Sequence, residues 1–167
     1  MMPEPLHPAI VHLPIALAVL VPVFAILGIA LIQTRVLPAK TWAAVVLLQL
    51  LLVASGWAAV ETGEQEEERV EHVVAERHIE THEEAAERFL AIAALGLLIL
   101  GTGLIPGSAG LAGRAIGTLA TIGILAAGVS VGHSGGELVY RHGAANAHVD
   151  LTSAPPGPRL HHHDDDD

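Results

Sequence analysis

The chain lacks cysteine entirely. Disulfide bonds, thiolate metal sites and covalent haem attachment through Cys-x-x-Cys-His are therefore excluded. Charge is also scarce, because charged residues make up 16% of the chain, where a soluble domain carries roughly 25%. The formal net charge of −10 argues against a nucleic-acid partner, since phosphates require a basic surface. Haem or metal held by histidine remains open, because the chain has 11 histidines.

Long apolar runs dominate the chain, built from Ala, Leu, Val, Ile and Gly with few aromatic residues. A helix needs about 20 apolar residues to cross a bilayer. Four runs meet this requirement, and they predict an all-α integral membrane four-helix bundle whose first partner is the lipid bilayer. The predicted spans cover residues 9–32, 42–60, 85–105 and 111–133, within one domain of residues 1–150. Residues 151–167, rich in Pro, His and Asp, predict a disordered tail.

The first run could also be a cleaved signal peptide. No Lys or Arg precedes it, and it is longer than the apolar part of such a peptide. Pro14 and Pro22 interrupt it, but a spanning helix tolerates proline where neighbouring groups satisfy the freed carbonyls. We therefore expect a retained helix.

The connection between spans two and three differs from the other two. Residues 33–41 and 106–110 form short links, which make sequential helices antiparallel neighbours. Residues 61–88 hold many acidic residues together with a broken apolar stripe at helical spacing. This pattern predicts an extramembrane helical extension that continues span three backwards, with a solvated acidic loop as the alternative.

The basic residues near the span ends favour one orientation. Arg35 and Lys40 lie in the first link, and Arg114 opens span four. Because Lys and Arg favour the cytoplasmic side, we predict a multi-pass membrane protein with both termini on the outer side, which in a bacterium is the periplasmic side of the inner membrane. With four spans, all 11 histidines fall on one side of the membrane, whichever way the protein inserts.

This grouping makes the histidines candidate ligands. Neutral imidazole is the usual axial ligand of b-type haem, and glycine-rich helices leave room for a flat macrocycle. We predict haem b near the outer face, with His12 and either His82 or His133 as the axial ligands. The candidate set for this cofactor is His12, His82, His133 and His142.

A bare divalent ion such as Zn, Cu or Fe is the alternative cofactor, because imidazole and carboxylate groups also bind these metals. His78 and His82 share one helical face at a spacing of four. Histidines at helix ends are also often interfacial, so a cofactor-free structural subunit is a third interpretation. The candidate metal ligands are His7, His12, Glu61, His78, His82 and His133.

Small residues form a face on span four. Gly113 and Gly117 are four apart, as are Gly128, Gly132 and Gly136. Such spacing lets helix backbones approach closely. It predicts tight packing within the bundle or, as the alternative, a homo-oligomer formed through span four.

Four motifs resemble those of domain-of-unknown-function family 2231, a family of predicted four-span bacterial membrane proteins. HPAIVHLPIAL (residues 7–17) resembles its HP-x-x-VHFPIAL opening, with Leu13 in place of the usual Phe. ETGEQEEE (residues 61–68), HEEAAE (residues 82–87) and GHSGGELVYRHG (residues 132–143) resemble its later motifs. The matched motif positions are His7, His12, His82, Gly135, Gly136 and His142, and His133 matches a variant of the last motif.

The resemblance implies a four-helix membrane domain that is sometimes fused to Rieske-type iron–sulfur modules, and this association points to electron transfer. We therefore expect an electron-transfer or accessory subunit, similar to a b-type cytochrome, with redox protein partners or a larger membrane complex. No catalytic residue is predicted. A nucleophile and base at Ser134 and His133 are adjacent in sequence, and neighbours on a helix do not face each other.

Overall fold

The computed structural model describes residues 5–148, and the α-helices of this range form an antiparallel bundle. Two short 3-10 turns, Ala39–Trp42 and Ala144–His148, precede the second long helix and follow the last one. The predicted tail of residues 151–167 lies outside the described range. The α-helices are α1 His7–Ile10, α2 His12–Gln33, α3 Ala43–Val70, α4 Glu76–Thr102 and α5 Gly107–Tyr140.

Four helical segments are long and apolar enough to cross a membrane: α1 with α2, then α3, α4 and α5. Their outward faces carry large apolar side chains, such as Leu98 and Leu119, which are 70% and 69% exposed. A bilayer accommodates such faces, whereas water does not. The predicted all-α four-span bundle is confirmed.

The acidic segment forms the last turns of α3 and the first turns of α4, and is not an extension of α4 alone. α3 continues to Val70, and α4 begins at Glu76 after a turn of only five residues. Glu, Gln and Arg are good helix formers, so the helix continues beyond the apolar run. Val74 anchors the turn between the two helices, because its side chain is only 4% exposed. The predicted extramembrane helix therefore forms from both sides of the turn.

Each long helix packs on two neighbours: α5 on α2 and α4, and α3 on α2 and α4. The core consists of apolar side chains from all four spans, with one cluster toward each end of the bundle. The first cluster holds Leu17, Ala18, Leu52, Phe89, Ala93 and Ile124, and the second holds Val21, Ala25, Trp42, Val45 and Leu100.

The two ends of the bundle differ in kind. The turn end comprises residues 34–42 and 103–106 with the helix ends that they join. The histidine end comprises α1, the last turns of α3, the first turns of α4 and the last turns of α5. The rings of His7 and His82 pair at this end, as do those of His78 and His142, in agreement with the prediction that the histidines gather on one side.

The glycines of α5 also divide between these ends. Gly113, Gly117 and Gly128 lie against atoms of α4 or α2, so they serve packing within the bundle. A Cβ on Gly132 or Gly136 would meet nothing within 4 Å in the described residues. The homo-oligomer through this helix stays a prediction.

Candidate functional site

His7 is held against the end of α3. Its backbone N–H and that of Leu6 donate to Glu66 Oε1 at 3.1 and 2.7 Å, and its Nδ1 lies 2.8 Å from Ala59 O. A carbonyl oxygen only accepts, so Nδ1 carries the proton and donates. In the neutral ring, Nε2 therefore keeps a free lone pair.

His82 of α4 is held in the same way against α5. Its Nδ1 lies 2.9 Å from Ser134 Oγ, and that hydroxyl donates its one proton to Val131 O at 3.0 Å. Ser134 therefore accepts from His82 Nδ1, and Nε2 is again the unprotonated nitrogen of the neutral ring. A Cβ at residue 135 would lie 3.0 Å from His82 Cε1, so Gly135 leaves room for the imidazole.

The two imidazoles form a pair across the histidine end. Their ring centres are 6.4 Å apart, and the ring planes are nearly perpendicular at 85°. Burial, and after it the neighbouring His7, lowers the pKa of His82, against a hydrogen bond that the imidazole donates to the Val131 backbone carbonyl. His82 precedes the apolar part of α4, outside the predicted span of residues 85–105. Its imidazole is therefore neutral at neutral pH, which is the form that binds metals.

His78 and His142 form a second imidazole pair at the histidine end. The rings of His78 and His142 stack with their centres 3.7 Å apart and their planes 17° apart. Desolvation, the neighbouring His142 and Arg77 lower the pKa of His78, and Glu137 opposes them. Like His82, His78 lies before the apolar part of α4. Stacking of this kind favours the neutral form of His78, because two charged rings would repel each other.

Glu66 connects the two ends of the described chain. Its Oε1 accepts from the backbone at Leu6 and His7, and its Oε2 lies 3.7 Å from His148 Nε2. Residues before α1 and after α5 thus share one carboxylate on α3. Glu66, His148 and Ser134 were not among the predicted site residues, although Glu66 and Ser134 lie inside the motifs ETGEQEEE and GHSGGELVYRHG.

The other predicted ligands occupy exposed positions. His12 on the first turn of α2 and Glu61 on α3 are exposed. The His133 side chain is 77% exposed, and its Nε2 lies 3.7 Å from Glu137 Oε1. That carboxylate also accepts from Arg141 Nη1 at 2.6 Å. The structure therefore joins His7 to His82 and His78 to His142.

Within residues 5–148, no group of three or more His, Asp or Glu side chains is arranged to hold a metal ion. The bare-metal site formed from His7, His12, Glu61, His78, His82 and His133 stays a prediction, as does the haem.

Carboxylates crowd the surface between α3 and α4. Burial raises the pKa of Glu83, and Glu67, Glu64, Glu87 and Glu80 raise it further. Glu83 follows His82 directly in the chain and, like it, precedes the apolar part of α4. The imidazole pair of His7 and His82 thus lies beside a strongly negative surface.

One family, described as "Predicted membrane protein (DUF2231)", matches residues 3–148. The chain belongs to this family. Comparison with curated proteins and with solved structures gives no match. The DUF2231 match covers all four spans and the histidine end, so it confirms the resemblance that the four motifs carry. The DUF2231 description gives membrane character and states no cofactor.

Proposed function

We propose that this protein is a membrane electron-transfer subunit in which His7 and His82 are the axial ligands of a haem b. The observation that carries the proposal is the imidazole pair, which unites α1 and α4 with both Nδ1 atoms engaged. Ligating histidines typically donate the second ring N–H to a carbonyl or other acceptor, which fixes the tautomer and the ring orientation. Ala59 O and Ser134 Oγ are the acceptors here.

The separation of the rings supports this pair over the others. An imidazole nitrogen binds a metal at about 2 Å, which puts the ring centre roughly 3 Å from the ion. Two rings on opposite sides of one iron would then have centres about 6 Å apart by the same geometry, and the observed separation is 6.4 Å. The stacked rings of His78 and His142, at 3.7 Å, leave no space for an ion between them.

Small residues beside the pair suit a flat cofactor. A Cβ on Gly63 would lie 3.3 Å from His7 Cε1, and one on Gly135 would lie 3.0 Å from His82 Cε1. Side chains at these positions would crowd both rings. Bound haem would supply one-electron chemistry. The residues of the chain would hold the imidazoles in one tautomer and keep His82 neutral.

The distribution of basic residues supports a periplasmic location for this site. Arg35, Lys40 and Arg114 lie at the turn end, and Lys and Arg favour the cytoplasmic side. The histidine end would then face the periplasm of a bacterium, with the protein in the inner membrane. The acidic surface around Glu83 favours a redox partner with a basic surface, since opposite potentials steer association.

A visible spectrum of the purified full chain, expressed with ample haem, tests the proposal. We expect a Soret band that shifts on reduction, and its loss in His7→Ala and in His82→Ala. His12→Ala and His133→Ala are matched controls, because both positions are exposed and should retain the band. A wild-type protein without a Soret band would falsify the haem assignment.

Elemental analysis of the same preparation separates the alternatives. Stoichiometric zinc or copper without iron would indicate that the histidines bind a bare metal ion and not haem. A protein free of metal and haem would favour a structural subunit of a larger complex. Loss of the Soret band in His12→Ala, with retention in His7→Ala, would move the ligand assignment to His12.

A further inference from the structure

The turn end carries positive charge without a carboxylate among residues 5–148. Every acidic residue in that range lies between residues 61 and 87 or at position 137, at the histidine end. Arg35, Lys40 and Arg114 lie at the opposite end. The basic groups of the turn end therefore have no acidic partner in the described part of the chain.

Arg114 is the most constrained of these three residues, because it is only 8% exposed. Its Nη1 donates to Gly103 O at 2.5 Å, while its Nε is buried and meets no acceptor among residues 5–148. Burial of a guanidinium that lacks both a counter-charge and a full set of acceptors is unfavourable. An anion at this position would supply what the described residues do not.

The guanidinium lies beside the N-terminus of α5. Helical side chains point back toward the preceding turn, and Arg114 Nη1 lies 3.4 Å from where a Cβ on Gly110 would be. Gly110 belongs to the first turn of α5, which contains no acidic residue, and its N-cap residue Pro106 makes no side-chain cap. The first N–H groups of a helix lack partners within it and attract anions.

Lys40 adds a second cation at the same corner. A Cβ on Gly103 would lie 2.9 Å from both Arg114 Cγ and Trp42 Cδ1, so these two side chains meet at one point. Lys40 lies in the same 3-10 turn as Trp42 and is exposed. Its ammonium group can therefore approach an anion that contacts the guanidinium.

We propose that the turn end binds a phosphate group, held by Arg114 and the first N–H groups of α5, with Lys40 as an additional cation. A guanidinium matches phosphate oxygens in a planar, bidentate geometry. Because this end lies where the spans leave the hydrocarbon, the phosphate of an anionic lipid headgroup can reach it directly. Free phosphate has the same chemistry. The proposal does not depend on any cofactor at the histidine end.

Thermal unfolding of the full chain in detergent, titrated with phosphatidylglycerol, phosphatidylcholine or inorganic phosphate, tests this site. A ligand that binds only the folded state raises the unfolding midpoint with concentration. We expect phosphatidylglycerol to raise it more than phosphatidylcholine. Arg114→Gln should weaken the apparent affinity about tenfold or more, which is the loss of one charge-assisted contact. Lys40→Gln should weaken it about threefold, as expected for an exposed cation.

Arg77→Gln is the matched control, because Arg77 is an exposed basic residue at the histidine end, and it should retain the wild-type affinity. A saturable, Arg114-dependent shift with inorganic phosphate would identify the free anion as the source, and one with phosphatidylglycerol alone would identify the lipid. Unchanged affinity in Arg114→Gln would overturn the proposal. If Arg114→Gln does not fold, the affinities of Arg114→Lys and Lys40→Gln test the proposal instead. Wild-type affinity in both variants would overturn the proposed phosphate site.

Discussion

The turn end and the histidine end hold the same helices together by different means. At the turn end, Trp42 Nε1 donates to Leu100 O at 3.0 Å, and glycines bring α4 and α5 into backbone contact. At the histidine end, imidazoles and carboxylates make many of the contacts between helices, such as His82 with Ser134 and Glu66 with His148. The first kind of contact is independent of pH, whereas the second depends on protonation. We therefore expect the contacts of the turn end to be insensitive to pH and those of the histidine end to respond to protonation.

The close packing of the turn end depends most on a glycine of α5. A Cβ on Gly113 would lie 2.7 Å from Gly103 N and 2.8 Å from Thr102 C, which are backbone atoms of α4 and the turn after it. We expect Gly113→Ala to lower the free energy of unfolding by about 3 kcal/mol, since overpacking against backbone is hard to relieve. Unfolding in detergent, followed by circular dichroism, measures the change.

Gly132→Ala is the control at the histidine end, where an added Cβ would meet nothing within 4 Å in the described residues. It should raise stability by roughly 0.5–1 kcal/mol, because alanine favours a helix over glycine. Equal effects of the two substitutions would show that the ends do not differ in packing.

The next largest change in the free energy of unfolding is expected from a hydrogen bond at the turn end. Trp42 is fully buried, and its indole N–H satisfies a carbonyl within α4. Trp42→Phe leaves Leu100 O without this donor and should lower the free energy of unfolding by about 1–2 kcal/mol. The loss should be the same at pH 5.5 and pH 7.5, because no titratable group takes part. A loss that varied with pH would contradict the description of this end as independent of protonation.

The four spans and the gathering of histidines could be predicted, but the pairing of the histidines could not. Bilayer thickness dictates the length of an apolar run, and an even number of spans returns the chain to the same side. Which imidazoles meet depends instead on the rotation of each helix about its axis. The His7 side chain contacts α3, whereas His12, five residues later, is exposed. The residues around each of the two histidines are apolar, so the sequence equally permits His12 to contact α3 and His7 to be exposed.

The residues at which the helices end also could not be predicted from the sequence. Residues 61–70 are too polar for a span, and an acidic helix and an acidic loop have the same hydropathy. Similarly, glycines often end helices, yet α5 continues through Gly132, Gly135 and Gly136 to Tyr140. Contact of Ser134 with His82 helps to hold these turns.

The stability of the histidine end should depend on pH. Burial and His7 lower the pKa of His82 below its usual 6.5, so the unfolded chain takes up the proton first. Stability is therefore fully present above pH 6.5 and falls as the pH drops below that value toward the folded pKa. We expect a lower unfolding midpoint at pH 5.5 than at pH 7.5, and a smaller difference in His82→Asn. His12→Asn, at an exposed position, should retain the wild-type difference.

The smallest expected effect has the opposite sign and comes from the residue next to His82. Burial first, and then Glu67, Glu64, Glu87 and Glu80, raise the pKa of Glu83 above its usual 4.5. Its carboxylate therefore opposes folding at neutral pH, and the penalty decreases as the pH falls toward the raised pKa. Glu83→Gln should stabilise the protein at pH 7 by roughly 0.2–0.5 kcal/mol, the magnitude of a like-charge pair on a helix surface after screening by solvent.

This gain should shrink as the pH falls through the raised pKa of Glu83, and it should disappear below pH 4.5, where the carboxyl is protonated in the folded and the unfolded chain. Glu84→Gln is the adjacent control, because Glu84 accepts from Arg88 Nη2 at 2.6 Å and its removal should bring no gain. A larger stabilisation in Glu84→Gln than in Glu83→Gln would mean that net charge, rather than the crowding around Glu83, sets the stability of this end. The two neighbouring residues His82 and Glu83 thus respond to acid in opposite directions, and Glu83→Gln should increase the net acid sensitivity of the histidine end.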